Sequence, residues 1–254
     1  MARRRARKRT VRSGRREPPP LAGVLLLAVV SLAAVNFAYQ VIRKPTELLG
    51  LVAPASPKLP GDTWSEYGEL FEEHSTALVR PELLAALVQV ESAGDPLART
   101  YWRWRWSWNP LALYAPASSA VGILQITDGT FAEARRLCIH DHGVAREGAW
   151  YDPRACWFNA LYFRTVPSHA IEMTAAMLHE QMTEILAGRI ASPEQRQRLA
   201  ALVHLCGRGR GPAFAQRGFR AAPGERCGDH ELDRYLDRVR ALALAFERMP
   251  RPWL

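Results

Sequence analysis

The sequence predicts a mostly α-helical domain with a small β-hairpin or strand insertion, preceded by one transmembrane helix. Residues 21–42 form an uncharged and mostly apolar run. Apolar residues recur at helical spacing in several later segments. Between residues 102 and 108, every second residue is a Trp, which is the period of a strand. Together these three patterns predict the fold class.

Charge is distributed unevenly along the chain. The net charge is +9, but residues 1–20 hold nine cations and one acid, and Arg43 and Lys44 add two more cations, which leaves −1 for residues 45–254. A near-neutral domain lacks the basic surface of a duplex-binding domain, so nucleic acid is not an expected partner. We interpret residues 1–20 as a basic cytoplasmic tail.

The apolar run at residues 21–42 is long enough to cross a hydrocarbon core of about 30 Å. Its only clearly polar residues are Ser31, Asn36 and Gln40. The preceding cations favour a cytoplasmic N-terminus, with the domain on the periplasmic side of the inner membrane. A signal peptide cleaved near Ala33 is the alternative. Because the apolar run continues well past that residue, a retained signal-anchor is favoured.

Beyond the anchor, residues 43–60 contain four prolines and predict a stiff linker that lifts the domain off the bilayer. Residues 61–254 then have the length of one domain. No internal repeat is evident in them.

Four cysteines follow the anchor, at Cys138, Cys156, Cys206 and Cys227. An even number in an exported domain predicts two disulfides. Three connectivities are possible, and the pairing of neighbours in sequence closes the shortest loops. A zinc site with nearby histidines is the alternative, but the spacings match no common zinc pattern, so no metal or other cofactor is expected.

Local signals place the main helices. Thr63-x-x-Glu66 has the pattern of a capping box that opens a helix. Pro81 suits the first position of the next helix, which ends at about Glu91 before Gly94-Asp95-Pro96. Three later helices are predicted from the periodicity between Ile171 and Ile185, from the start signal Ser192-Pro193-Glu194-Gln195, and from one apolar face formed by Leu232, Tyr235, Leu236, Val239 and Phe246.

The tryptophan stripe consists of four indoles that alternate with Arg103, Arg105 and Ser107. The favoured interpretation is that the indoles pack onto the core while the arginines face water. In a second interpretation Trp104 and Trp106 stack on sugar rings and extend a glycan cleft. Contact with the bilayer interface is the third, because Trp and Arg are both favoured there.

Glu91 is the leading candidate for chemistry. It follows Leu84, Leu87 and Val88 at helical spacing, and so extends the apolar face of its helix. Partial burial and the negative end of the helix dipole both favour a protonated carboxylic acid there. Such an acid suits protonation of a glycosidic oxygen. The alternative is that the helix end frays and Glu91 faces solvent.

Two sequence blocks carry a family resemblance. Residues 91–96 read Glu-Ser-Ala-Gly-Asp-Pro, and residues 119–127 read Ser-Ala-Val-Gly-Ile-Leu-Gln-Ile-Thr. Together they resemble the signature blocks of lytic transglycosylases with the soluble-transglycosylase (SLT) domain, which is similar to goose lysozyme. The resemblance covers most of residues 64–215. It implies a lysozyme-like fold, a catalytic role for Glu91 and peptidoglycan glycan strands as substrate.

The same resemblance implies the residues of a sugar groove. Gly122 and Gln125 match groove residues of the family, Ser92 belongs to the first block, and Ser118 or Ser119 stands in for a family serine whose matched position is Pro116. The third family block falls at residues 202–207, where the usual Tyr is missing. The resemblance therefore leaves open which group takes the place of that Tyr beside the acid.

The function that these observations predict is a membrane-anchored murein lytic transglycosylase with Glu91 as acid and then base. A hydrolytic muramidase would use the same acid. A non-catalytic wall-binding or scaffold module is the alternative from a different class. The expected partners are glycan strands, the inner membrane and an envelope or secretion complex.

Overall fold

A computed structural model describes residues 21–48, 54–149 and 151–253; the basic tail predicted at residues 1–20 lies outside the described residues. The α-helices are α1 Leu21–Arg43, α2 Pro60–Glu73, α3 Pro81–Ser92, α4 Asp128–Ala134, α5 Pro167–Leu186, α6 Pro193–Cys206, α7 Gly211–Gln216 and α8 Leu232–Glu247. The strands are β1 Trp102–Trp104, β2 Tyr114–Pro116, β3 Leu137–His140, β4 Gly143–Arg146, β5 Arg226–Cys227 and β6 His230–Glu231. The strands pair as three separate antiparallel hairpins, β1–β2, β3–β4 and β5–β6. The predicted mostly helical fold is confirmed.

Helix α3 is the centre of the domain. Every residue from Pro81 to Gln89 is buried, as expected for a helix that is largely apolar on all sides. It packs against α2 and most extensively against α8. Helices α5 and α6 close the core from other directions with fully buried side chains such as Ile171, Leu178 and Leu199. The C-terminal end of α3 is thereby held rigidly at the domain surface.

Proline sets the start of four of these helices. Pro60, Pro81, Pro167 and Pro193 each occupy a first helical position, where the missing N–H costs no hydrogen bond. Helix α6 also carries the predicted start signal as a complete capping box between Ser192 and Gln195.

The capping box predicted at Thr63 and Glu66 is wrong. Helix α2 begins at Pro60, so Thr63 lies inside its first turn. The Thr63 side chain is fully buried, and its hydroxyl donates instead to Oε1 of Gln89 at 2.7 Å. Because Pro60 starts the helix three residues earlier, Thr63 does not cap it and instead links α2 to α3.

The tryptophan stripe forms strand β1, which pairs with β2 in the register Trp102–Pro116, Arg103–Ala115 and Trp104–Tyr114. The prediction of a short hairpin is confirmed. The favoured prediction of core packing is wrong, because Trp104 is 76% exposed and Trp106 and Trp108 are fully exposed. The hairpin lies beside α1 instead of on the domain core, with the rings of Trp102 and Phe37 stacked at 6.0 Å between centroids.

Helix α1 is the one described helix that is long and apolar enough to cross a membrane, by its length and composition. The segment that follows it is bound to the domain. The ammonium of Lys44 donates to the carbonyls of Ser118 and Ala120 at 3.2 and 3.1 Å, and forms an ion pair with Glu47 at 3.0 Å. Lys44 and Glu47 are both buried. The predicted spacer is therefore wrong for residues 44–47, which pack on the domain and do not extend away from it.

Two disulfides cross-link the domain. Cys138 bonds to Cys156 and Cys206 bonds to Cys227, which is the pairing that closes the shortest loops. The second bond ties the end of α6 to the β5–β6 hairpin, directly before α8. All four sulfurs are used in this way, so no cysteine thiolate is available to a metal.

Candidate active site

An open cleft of about 790 Å³ lies at the C-terminal end of α3. Its walls come from the loop after α3, the second sequence block, α5, the end of α6 and the β5–β6 hairpin. The lining residues include Glu91, Arg99, Thr100, Tyr101, Ser118, Gln125, Thr127, Glu133, Gln181, His204, Arg208, His230 and Tyr235. Polar side chains from distant parts of the chain thus converge on one concave surface, which is the usual form of a ligand-binding site.

Glu91 lies in the last turn of α3 and faces this cleft. Its side chain is 18% exposed, so the alternative of a frayed helix end turned to solvent is wrong. The helix stops two residues later, where Ala93 adopts the left-handed conformation with φ of 52°. A partly desolvated carboxyl group at the helix end is therefore presented to the cleft with a fixed backbone.

Tyr235 is the closest polar neighbour of the acid. Its hydroxyl donates to Oε1 of Glu91 at 2.6 Å. Burial raises the pKa of Tyr235 well above its ordinary value, and the Glu91 carboxylate raises it further, so the phenol stays protonated and acts as a donor. In the sequence, Tyr235 is recognisable only as part of the apolar face of α8. The available signal was chemical, because a Tyr among buried apolar residues needs a partner for its hydroxyl.

His204 is the second group beside the acid. Its Nε2 lies 3.6 Å from Oε1 of Glu91, and its side chain is 10% exposed. Burial lowers the pKa of His204, and the attraction of Glu91 opposes this only in part. The imidazole is therefore neutral near pH 7 and does not neutralise the carboxyl group. His204 lies within the third sequence block, where the family tyrosine is missing.

The serine side chains of the first two blocks form hydrogen bonds to backbone groups. Ser92 donates to the carbonyl of Ile123 at 2.8 Å and to that of Val88 at 3.1 Å, which ties the end of α3 to the second block. The hydroxyl of Ser119 accepts from the backbone N–H of Asp128 at 3.0 Å. Neither side chain lines the cleft.

Ser118 does line the cleft, but its hydroxyl accepts from the backbone N–H of Ala120 at 3.1 Å. Its carbonyl oxygen accepts from Lys44 on the other side. The wall of the cleft at this point is thus supported from behind by the segment that follows α1.

Gly122 and Gln125 shape the second block. A Cβ atom on Gly122 would lie 2.1 Å from the carbonyl oxygen of Arg164, and its φ is +82°, so packing requires glycine here. Gly122 does not line the cleft. Gln125 does, and its Nε2 donates to the carbonyls of Ala98 and Gly122 at 3.1 and 2.9 Å. The amide nitrogen of Gln125 is therefore occupied by the protein itself, and its side-chain oxygen is the polar atom left for a ligand.

Comparison with known protein families supplies the deciding observation. A family model described as the transglycosylase SLT domain matches residues 70–203, which is more than half of the chain. The chain belongs to the SLT-domain family. No curated protein and no solved structure matches it significantly.

The SLT match includes Glu91 and the second block but ends just before His204. Tyr235 lies outside the matched segment, on a helix that the matched segment does not reach. In this SLT domain the acid is thus held partly by residues that follow the family region. In this chain the tyrosine hydroxyl beside Glu91 comes from Tyr235, on α8.

The remaining predicted residues do not join the SLT cleft. Trp104 and Trp106 lie on the hairpin beside α1 and are not among the residues that line it. Within the described residues, no group of three or more His, Cys, Asp or Glu is arranged to hold a metal ion. The candidate chemistry therefore centres on Glu91 and its two neighbours.

Proposed function

We propose that the protein is a membrane-anchored peptidoglycan lytic transglycosylase that faces the periplasm. It would cleave the β-1,4 bond between N-acetylmuramic acid and N-acetylglucosamine and form a 1,6-anhydro ring. The observation that carries this proposal is the carboxyl group of Glu91, held by Tyr235 within the cleft of an SLT domain.

In the first step Glu91 acts as general acid. Its carboxyl proton passes to the glycosidic oxygen, the bond from that oxygen to C1 of the muramyl residue breaks, and the N-acetylglucosamine portion leaves as an alcohol. The positive charge that develops at C1 is met by the acetamido oxygen of the same muramyl residue. This substrate assistance explains how one protein carboxylate suffices.

In the second step the Glu91 carboxylate acts as general base. It removes the proton from the C6 hydroxyl of the muramyl residue, and O6 bonds to C1 as the acetamido oxygen is released. Glu91 ends the cycle protonated, as it began, and no water is consumed. The product differs from that of a muramidase only in which oxygen reaches C1.

Tyr235 has a defined part in both steps. Because its hydroxyl donates to Oε1, that oxygen is kept as an acceptor, and the transferable proton is directed to Oε2. After transfer, the same hydrogen bond stabilises the carboxylate. His204 has its Nε2 at 3.6 Å from Oε1 of Glu91, and because burial lowers its pKa it is neutral and forms no ion pair there.

The proposed location follows from charge and composition. The cations of residues 1–20 favour a cytoplasmic tail, α1 is the candidate span, and the domain then lies in the periplasm. Two disulfides suit that oxidising compartment.

Mass spectrometry of the muropeptides released from purified sacculi tests the proposed reaction. We expect products with 1,6-anhydro ends and no reducing N-acetylmuramic acid. Reducing ends would assign the domain as a muramidase, and no release at all would favour a binding or scaffold module of an envelope complex. Either result would overturn the transglycosylase proposal.

A further inference from the structure

The tryptophan hairpin, residues 101–117, lies alongside α1. The side-chain amides of Asn36 and Gln40 both donate to the carbonyl oxygen of Leu111, at 2.8 and 2.6 Å. Leu111 lies in the short 3-10 helix Pro110–Ala112 between β1 and β2. Two of the three polar residues in the apolar run of α1 are thus buried against this hairpin.

These contacts define the level of the hairpin along α1. Asn36 precedes Arg43, the charged residue at the end of α1, by seven positions, which is about 10 Å along a helix. Arg43 marks the boundary between hydrocarbon and headgroups if α1 spans the bilayer. Gln40 contacts the same carbonyl and precedes Arg43 by only three positions, so the loop at Leu111 lies about 5–10 Å deeper than that boundary. Interfacial elements reach this depth.

An apolar groove of about 660 Å³ separates part of the hairpin from α1. Val29, Leu32 and Phe37 form the wall on α1, and Trp104, Leu113 and Tyr114 form the wall on the hairpin. The groove is open and almost free of polar surface. Its shape and composition suit a lipid acyl chain.

The exposed indoles agree with this placement. Trp106 and Trp108 are fully exposed and Trp104 is 76% exposed, at the end of the domain that carries α1. A contiguous apolar surface of this kind is rare on a protein surface that faces only water. Indole rings are favoured at the membrane interface, where an apolar body and a polar N–H are both accommodated.

The charge of this segment is also suited to lipid headgroups. No acidic residue occurs between Asp95 and Asp128 in the sequence, whereas Arg103 and Arg105 lie on the hairpin. Arg103 lies 4.0 Å from Asp229, so the exposed Arg105 is the cation that is available to headgroups. Juxtamembrane cations are attracted to anionic headgroups, and an acid at this level would be repelled. Residues 101–117 contain no Asp or Glu, so no acid of the hairpin itself opposes contact with anionic headgroups.

Several backbone groups of the hairpin are satisfied internally. Besides the paired strands, the N–H of Arg105 donates to the carbonyl of Leu113 at 2.8 Å, and the N–H of Leu111 donates to Oδ1 of Asn109 at 3.0 Å. With its carbonyl bound by Asn36 and Gln40, Leu111 has no backbone group left for water. Backbone groups that are satisfied in this way lower the cost of bringing the loop toward the hydrocarbon.

We propose that the tryptophan hairpin inserts into the periplasmic leaflet of the membrane that α1 spans, with lipid acyl chains filling the groove between them. The proposal rests on the proposed anchoring by α1, but not on the reaction at Glu91. The hydroxyl of Tyr101, which also lines the cleft, donates to Asp229 at 3.1 Å. The hairpin thereby connects the bilayer directly to a wall of the cleft, and the cleft faces glycan strands next to the membrane.

Fluorescence quenching in vesicles tests this insertion, because α1 contains no Trp and every indole signal comes from the domain. The full chain is reconstituted into vesicles of phosphatidylcholine and phosphatidylglycerol that include phosphatidylcholine brominated near the headgroup. The variant Trp106→Phe/Trp108→Phe keeps apolar rings but removes two exposed fluorophores. Trp157→Phe is the matched control, since Trp157 is 49% exposed and lies outside the hairpin.

We expect brominated lipid to quench the unmodified protein, and the double variant to lose about half of the quenchable emission. The Trp157→Phe control should retain most of it. Absence of quenching in the unmodified protein would overturn the proposal. The same holds if the double variant loses no more quenchable emission than the control.

Two further measurements distinguish this proposal from anchoring by α1 alone and from glycan binding by the hairpin. Flotation with vesicles after a high-salt wash measures anchoring by α1 alone. A protein that floats with the vesicles but is not quenched by brominated lipid is therefore anchored without an inserted hairpin. Murein affinity of Trp106→Ala/Trp108→Ala in detergent scores glycan stacking. Unchanged affinity is expected. A clear loss of murein affinity, together with a Trp106→Phe/Trp108→Phe variant that is quenched as strongly as the unmodified protein, would assign the hairpin to glycan and overturn its membrane role.

Discussion

The hydroxyl of Tyr235 donates to Oε1 of Glu91 at 2.6 Å, although the two residues are 144 positions apart in the chain. Glu91 is carried by the central helix α3, and Tyr235 by α8, which packs along α3. The acid of this SLT domain is therefore oriented by a helix that lies outside the family match.

Replacement of Tyr235 by Phe is expected to reduce kcat about 10- to 100-fold with little change in KM, because it removes one hydrogen bond to the carboxyl group and leaves the ring in place. The readout is the rate of anhydro-muropeptide release. Tyr162→Phe is a matched control: the Tyr162 hydroxyl donates to Oε2 of Glu172 at 2.5 Å, and Tyr162 does not line the cleft. Equal rates for the two variants would show that Tyr235 does not position the acid.

The disulfide between Cys206 and Cys227 is expected to matter more for activity than the one between Cys138 and Cys156. Both loops have similar length, so removal of either should lower the free energy of unfolding by about 3 kcal/mol. The β5–β6 hairpin contributes Gly228 and His230 to the cleft and leads into α8. Double Ser variants of each pair, compared by thermal unfolding and by murein release, check this. Equal losses of activity would contradict it.

The stability of the protein is expected to fall as the pH is lowered below about 6.5, partly through His204. Burial lowers the pKa of His204 in the folded state, so the unfolded chain binds a proton at a higher pH than the folded chain does. The contribution of His204 to stability is therefore complete above its pKa in the unfolded chain, and it is lost as the pH falls toward its lower pKa in the folded protein. When the pH falls from about 7.5 to 5.5, the free energy of unfolding of His204→Gln should decrease by about 1 kcal/mol less than that of the unmodified protein. Denaturant titrations at the two pH values measure this difference. Identical pH dependence would contradict this role.

Lys44 is expected to stabilise the contact between the anchor segment and the domain. Lys44→Met would leave the buried carboxylate of Glu47 without its cation, at a cost of about 3 kcal/mol. Thermal unfolding in mild detergent should show a Tm lower by roughly 6–12 °C. The exposed neighbour Arg43 provides the control, because Arg43→Met should change Tm by about 1 °C or less. A Lys44→Met variant as stable as this control would contradict the contact.

Local signals were sufficient to predict much of the helical framework. The prolines at first helical positions and the Ser192 capping box act within one turn, so they can be recognised without tertiary information. The same holds for Glu91, whose position on the apolar face of α3 and whose flanking block are both local. The capping pattern at Thr63 failed because a stronger local signal, Pro60, began the helix earlier.

The remaining features depend on contacts between distant segments. The place of Tyr235 beside Glu91 depends on how α8 packs on α3, and an apolar helical face does not reveal which of its members will meet a carboxyl group. The tryptophan stripe was predicted to pack on the core because its strand period alone carries no information about the neighbouring element. That neighbour is α1, whose Asn36 and Gln40 contact the hairpin.

The most direct test of the central claim is the rate at which Glu91→Gln releases anhydro-muropeptides from purified sacculi. Gln has nearly the same shape and still accepts the hydrogen bond from Tyr235, so the fold and Tm should be preserved. Because the side chain no longer carries a transferable proton, we predict a fall in rate of about 1,000-fold. A folded Glu91→Gln protein that keeps the rate of the unmodified protein would show that Glu91 is not the catalytic acid.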